Sequence, residues 1–105
     1  MGGKMKYRIE ETPRGQEIVM EGSFTFRDHD TFFEIISLIK SSKDKCLIFN
    51  LAGCDFIDSA ALGMFVIASD EASVKDMTLI IKSATGRNKD VMFAARFDNL
   101  YTFED

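Results

Sequence analysis

The chain has 105 residues, 46% of them hydrophobic and 29% charged, which is the balance of one soluble globular domain able to bury roughly 65% of its unfolded surface. A formal charge of −4 supplies no basic stripe to neutralise phosphates and argues against nucleic acid as a partner. No apolar run approaches the 18 residues that would span a bilayer, so membrane insertion is not expected.

The N-terminus, Met1 to Lys6, lacks the apolar stretch of a signal peptide and the hydroxyl residue of a myristoylation signal. Residues 1–5 read as a disordered tail, and 1–105 as a single domain. Tyr7 to Thr12 alternates roughly, Pro13-Arg14-Gly15 signals a turn, and Glu17 to Glu21 follows as a second strand, which together predict a hairpin. After Gly22, Ser23 to Phe26 reads as extended, with the rings of Phe24 and Phe26 on one side. A helix is predicted to begin near Asp28 to Thr31, with Thr31 and Glu34 spaced as a capping box and Asp28 or Asp30 as competing caps. Phe32, Ile35, Ile36 and Ile39 give it one apolar face.

Ser41 to Lys45 is a polar loop, and Cys46 to Leu51 is a short apolar run of the kind found in strands covered on both faces. Ala52 to Asp55 reads as a loop, and Asp58 or Ser59 opens the second helix. Met77 to Ile81 predicts another covered strand. Thr85 to Asn88 predicts a turn, Lys89 to Phe97 a third helix, and Leu100 to Phe103 a last short strand. Strands alternating with helices after a hairpin predict one α/β domain with a mostly parallel sheet. Ten Phe and no Trp point to a core of phenylalanine rings. Cys46 and Cys54, without metal-like spacing, read as reduced small hydrophobes in a cytoplasmic protein.

Every residue from Ala60 to Ala68 is apolar or Gly. A helix apolar on all sides is either wholly buried or meets a partner on its outer face. Ser59 stands at its head, where Ser and Asp are both favoured caps. If Asp58 takes that duty, the Ser59 hydroxyl is free, and a phosphate on it would meet unpaired N–H groups and the positive end of the helix dipole. It would also place about −1.5 to −2 charges beside an apolar surface.

The segments Cys46 to Leu51 and Phe56-Ile57-Asp58-Ser59-Ala60-Ala61-Leu62-Gly63 resemble the core of the STAS domain family of anti-sigma-factor antagonists. The order of elements is similar along nearly the whole chain. The resemblance implies a mixed sheet with helices packed on one face and a bacterial partner-switching role. In that scheme the unphosphorylated protein binds an anti-sigma factor that is also a serine kinase, phosphorylation of Ser59 breaks the complex, and a PP2C-type phosphatase restores it. The all-apolar second helix sets the expected docking surface: Asp58, Ser59, Ala61, Leu62, Met64 and Phe65, with the segment Ser23, Phe24, Thr25 and Phe26 beside it. Three departures from the family pattern stand out, one being the little room before Asp105 for the C-terminal helix that many members carry. Ala61 replaces the usual Gly, and Gly22-Ser23-Phe24-Thr25 replaces Gly-Glu-Leu-Asp, which leaves Asp28 or Asp30 to supply the missing acid.

Other chemistry is thinly represented. His29 is the sole histidine and no motif links it to Ser59, so no catalytic triad and no enzyme is expected. Asp55 and Asp58 alone are too few ligands for a cation, and no nucleotide-binding glycine motif occurs, so no cofactor is expected. Gly86-Arg87-Asn88-Lys89 is a positive turn before a helix that could touch a phosphate, with a solvated turn as the plainer reading. The alternative function is an adaptor of the same fold that docks to an ATPase or transporter without phosphorylation, in which Ser59 only caps the helix.

Overall fold

The computed structural model describes residues 4–105. A hairpin of β1 (Lys6–Thr12) and β2 (Gly15–Phe24) leads through a 3-10 turn (Phe26–Asp28) into α1 (His29–Ser41). Then come β3 (Cys46–Ile57), α2 (Ser59–Val74), β4 (Thr78–Lys82), α3 (Gly86–Ala94), a second 3-10 turn (Phe97–Asn99) and β5 (Thr102–Glu104). The five strands lie in sequence order; β1 and β2 are antiparallel and every later pairing is parallel. The three crossovers all step the same way across the sheet, so right-handed connections place α1, α2 and α3 on one face.

The hydrophobic core lies between that face and the helices. Ile18, Met20, Leu47, Phe49, Leu51, Leu79 and Ile81 point into it from the strands. Phe32, Ile35, Ile36 and Ile39 of α1 meet them as the periodicity predicts, with Ala61, Phe65, Ala68 and Ala72 of α2 and Met92 of α3. At its centre Phe65 makes edge contacts with Phe24, Phe32 and Phe49 at 5.3 Å between centroids. Tyr101 closes the cluster, its hydroxyl donating to the Phe65 carbonyl at 2.6 Å. Burial drives the Tyr101 pKa well above the ordinary value, so the hydroxyl keeps its proton and remains a donor.

Several expectations are corrected. Met5, placed in the tail by sequence, is 4% exposed in the core, and its N–H donates to Asp28; residues 1–3 of that tail lie outside the described residues. The loop expected at Ala52 to Asp55 is strand: β3 continues to Ile57, paired with β2 through two register shifts at Val19/Glu21 and Gly22/Ser23. Gly53 misled because its composition reads as a turn. Here it lies opposite Glu21 beside the first shift, where a Cβ would stand 3.0 Å from Glu21 Cγ and 3.3 Å from the Met20 carbonyl oxygen. The rings of Phe24 and Phe26 do not share a side. β2 ends at Phe24, which is fully buried, and the chain then coils so that Phe26 is 66% exposed.

The helix starting at His29 follows Asp28, so Thr31 falls within its first turn and forms no capping box. α3 begins at Gly86, three residues before the predicted Lys89. The buried Asn88 side chain donates to the Cys54 carbonyl at 3.1 Å and so fixes a first turn that its composition does not favour. Its other end comes at Ala94; Arg96 is left-handed (φ 62°), and Phe97 drops into the core from the following turn.

Candidate functional site

The C-terminal end of β3, the head of α2 and the turn after β2 meet at one corner of the sheet. Asp58, extended at φ −90° and ψ 177°, is the N-cap of α2. Its Oδ1 accepts from the Ala61 N–H at 2.8 Å, and its carbonyl accepts the first helical bond from Leu62 at 3.1 Å. Its Oδ2 accepts from the Phe26 N–H at 3.2 Å, while its own N–H donates to the Phe24 carbonyl at 3.2 Å. One carboxylate therefore both caps α2 and ties the β2–α1 turn to it.

Ser59 is the first residue within α2, and it is exposed. Its hydroxyl makes no hydrogen bond to any described residue. The two open possibilities for the cap thus separate: Asp58 caps, and Ser59 presents a free hydroxyl. Because the Ala61 and Leu62 N–H groups are taken, those of Ser59 and Ala60 remain at the helix head for an outside acceptor.

Neither Asp28 nor Asp30 hydrogen-bonds the Ser59 hydroxyl. Asp28 is 2% exposed, with Oδ1 accepting from Met5 N–H at 3.2 Å and Oδ2 from Thr25 N–H at 2.9 Å. It organises the turn that carries Phe26. Asp30 stands in solvent beside His29. Cys54 is buried nearby, and burial raises its thiol pKa, so it keeps its proton and is no ready nucleophile.

Of the surface expected from sequence, the exposed members are Ser59 and Phe26 and, in part, Asp58, Leu62 and Thr25. Ala61, Phe65 and Phe24 are fully buried, while Met64 (5%) and Ser23 (8%) are nearly so. Ala61, Phe65, Ala68 and Ala72 form the stripe of α2 that faces the sheet, which leaves them unavailable to a partner. The outward stripe is instead Ala60, Gly63 and Ile67. With Phe26, Phe33 and Met64 it lines a groove of about 350 Å³ between α1 and α2, in which Ala60 directly follows Ser59 in the chain. Phe26 (66%), Phe33 (41%) and Ile67 (40%) are large hydrophobic side chains left open to water there. The His29 ring stacks on Phe26 at 5.0 Å between centroids, and its Nδ1 lies 3.0 Å from the Phe26 carbonyl, which holds the arm in place.

Phe26 belongs to the segment expected beside the docking surface, whereas Phe33 is absent from that expectation. Phe33 falls off the Phe32, Ile35, Ile36, Ile39 face, and an aromatic ring on the polar side of a helix is the signal that could have found it. Among the described residues no three His, Cys, Asp or Glu side chains gather as a metal site, and no helix is long and apolar enough to cross a membrane.

A STAS domain model matches residues 7–105. Solved structures of the same fold include an anti-sigma factor antagonist from Mycobacterium paratuberculosis, 10% identical over 95% of this chain and 85% of its own, with a TM-score of 0.84. A putative anti-sigma factor antagonist from Thermotoga maritima is 13% identical over 94% of this chain and 86% of its own, with a TM-score of 0.80. The unphosphorylated form of the anti-sigma factor antagonist SpoIIAA is 16% identical over 95% of this chain and 88% of its own, with a TM-score of 0.71. No curated protein sequence matches the chain.

Proposed function

The chain belongs to the STAS domain family, and we propose that it is an anti-sigma-factor antagonist whose binding is switched by phosphorylation of Ser59. The observation that carries this reading is the division of labour at the head of α2. Asp58 supplies the side-chain cap, and Ser59 shows solvent an uncommitted hydroxyl one residue before Ala60, which lines an open apolar groove.

In this reading the unphosphorylated protein docks in the bacterial cytoplasm to an anti-sigma factor with serine-kinase activity. Phe26, Phe33 and Ile67 enter the interface as the apolar anchors, and Ser59 lies at its edge. Exposed aromatic side chains held rigidly are the residues that dominate such interfaces. The kinase supplies the chemistry: the Ser59 oxygen bonds to the terminal phosphorus of ATP, the bond to the ADP oxygen breaks, and the hydroxyl proton passes to a base of the kinase. The new group carries about −1.5 to −2 charges. Closing the partner's apolar surface over it requires stripping its water, at a cost the contact does not recover unless the partner itself brings a matching cation. Asp58 adds a like charge next to it. The complex therefore opens, and a PP2C-type phosphatase hydrolyses the ester to reset the site. This chain's own part is binding.

The test is to mix the purified protein with each anti-sigma-factor kinase of its host and ATP. Wild type should bind, gain one phosphate at Ser59 and leave the complex, whereas Ser59→Ala should bind and stay. A complex that survives full phosphorylation would overturn the switch. Stable binding to an ATPase or transporter, with no phosphate ever gained, would favour the unphosphorylated adaptor.

A further inference from the structure

We propose that Arg87 is the built-in counter-cation that receives the phosphate of phosphorylated Ser59. The inference rests on the Ser59 switch described above and adds a residue of α3 to it.

The chain has five arginines. Four stand beside carboxylates: Arg8 with Glu10 at 2.8 Å, Arg14 with Glu104 at 2.8 Å, Arg27 with Asp28 at 3.9 Å and Arg96 with Asp98 at 3.8 Å. Arg87 is exposed, and no carboxylate among the described residues lies within 4.0 Å of it. Its guanidinium rests on the Phe56 ring, 4.7 Å from the centroid, and Nη1 donates to the Ile57 carbonyl at 3.2 Å. The side chain is thus held against the last two residues of β3.

That position is fixed from below. The buried Asn88 amide bonds the Cys54 carbonyl and pins the first turn of α3 to β3. Ser59 follows Ile57 by two residues, so their Cα atoms are no more than about 7.6 Å apart. A guanidinium has five N–H donors, and here one is used on a neutral carbonyl. A phosphate on Ser59 is a stronger, bidentate acceptor within a side-chain pivot of that place. A cation over the Phe56 ring, 4.7 Å from its centroid, is attracted without a directional bond, so the guanidinium can turn and keep that support.

The electrostatics of the site call for such a cation. Asp58 already holds the Ala61 and Phe26 N–H groups, so a phosphate next to it finds only the Ser59 and Ala60 N–H groups and a neighbouring negative charge. Arg87 offsets that charge and fixes the phosphate at the helix head, one residue before the groove-lining Ala60. Gly86-Arg87-Asn88-Lys89, the positive turn read in the sequence, thereby acquires a role: it is the first turn of α3, and one of its cations reaches the end of β3, two residues before Ser59.

The experiment is a phosphorus NMR titration of the full chain with phosphoserine installed at position 59 during synthesis, compared in wild type, Arg87→Met and Arg87→Lys. A guanidinium near the phosphate favours the dianion, so its second ionisation falls at lower pH. Arg87→Met should raise that midpoint by about 0.5–1 unit, with Arg87→Lys in between. Identical midpoints in all three would overturn the proposal. Urea unfolding of the unphosphorylated variants checks that the fold is kept, since a merely structural Arg87 would alter unfolding and leave the phosphorus midpoint where it was. Because the phosphoserine is installed, the titration does not depend on the host kinase. Host protein without phosphate on Ser59 would sink the switch and leave the titration result standing.

Discussion

Replacing Asp58 and Ser59 in turn tests the division of labour at the head of α2. Asp58→Ala removes an acceptor that serves the Ala61 N–H at 2.8 Å and the Phe26 N–H at 3.2 Å. Loss of an N-cap costs about 0.5–2 kcal/mol. Loss of the second bond adds about 0.5–1.5 kcal/mol, toward the low end because the Phe26 N–H is near water and can be hydrated. The sum centres on roughly 2 kcal/mol, or a fall in Tm of roughly 10 °C for a chain of this size. Ser59→Ala removes a hydroxyl with no protein partner and puts a better helix former within the first turn, so its effect should stay within about 0.5 kcal/mol. Asp58→Asn keeps one acceptor oxygen and should fall between them. Urea unfolding of the unphosphorylated variants, with two-state fits, gives the ranking. Equal losses for Ser59→Ala and Asp58→Ala would refute the assignment of the cap and return Ser59 to a structural role.

Other consequences follow from the same geometry. Phe26→Ala and Ile67→Asp change exposed side chains, so stability should move by no more than about 0.5 kcal/mol while partner affinity falls about 30-fold or more; unchanged affinity in a binding titration would remove the groove from the interface. Phe65→Ala, by contrast, opens the centre of the ring cluster and should cost about 3–5 kcal/mol in denaturant. Gly15→Ala would place a Cβ 2.1 Å from the Cys46 carbonyl oxygen at φ +142°, so a loss of at least about 1–3 kcal/mol is expected, and a neutral result would contradict the hairpin geometry. The hydrogen bond from Arg14 holds the Glu104 carboxyl below its ordinary value of 4.5. A lowered folded value means that this pair stabilises the protein above pH 4.5 and loses its effect as pH falls through that lowered value. The stability gap between wild type and Arg14→Gln should therefore close on acidification, and a gap that widens would show the sign to be wrong.

Much of this molecule is legible in the sequence because its elements carry periodic signals. The α1 face of Phe32, Ile35, Ile36 and Ile39 lies in the core as its spacing requires. The short apolar runs at Leu47 and Leu79 form the parallel strands. The STAS pattern at Asp58 to Gly63 coincides with the N-cap and first turns of α2. The orientation of α2 was not legible, because from Ala60 to Ala68 it is apolar in every direction and no periodicity marks the buried stripe. Tertiary packing chose Ala61 and Phe65 for the core and left Gly63 and Ile67 outside. The reach of β3 through Gly53 was hidden for a similar reason. A glycine demanded by a close strand contact has the same letter as one that makes a turn. Arg87 reaches the end of β3 through the start of α3, which composition places three residues too late.

The central claim is that Ser59 is a phosphorylation switch, and peptide mapping of the protein isolated from its native host under several growth conditions tests it most directly. The account predicts that a fraction of the chain carries about 80 Da of added mass on the peptide containing Ser59, that this fraction changes with conditions, and that Ser59→Ala abolishes it. A Ser59 peptide without phosphate under every condition, or phosphate confined to another hydroxyl, would contradict it.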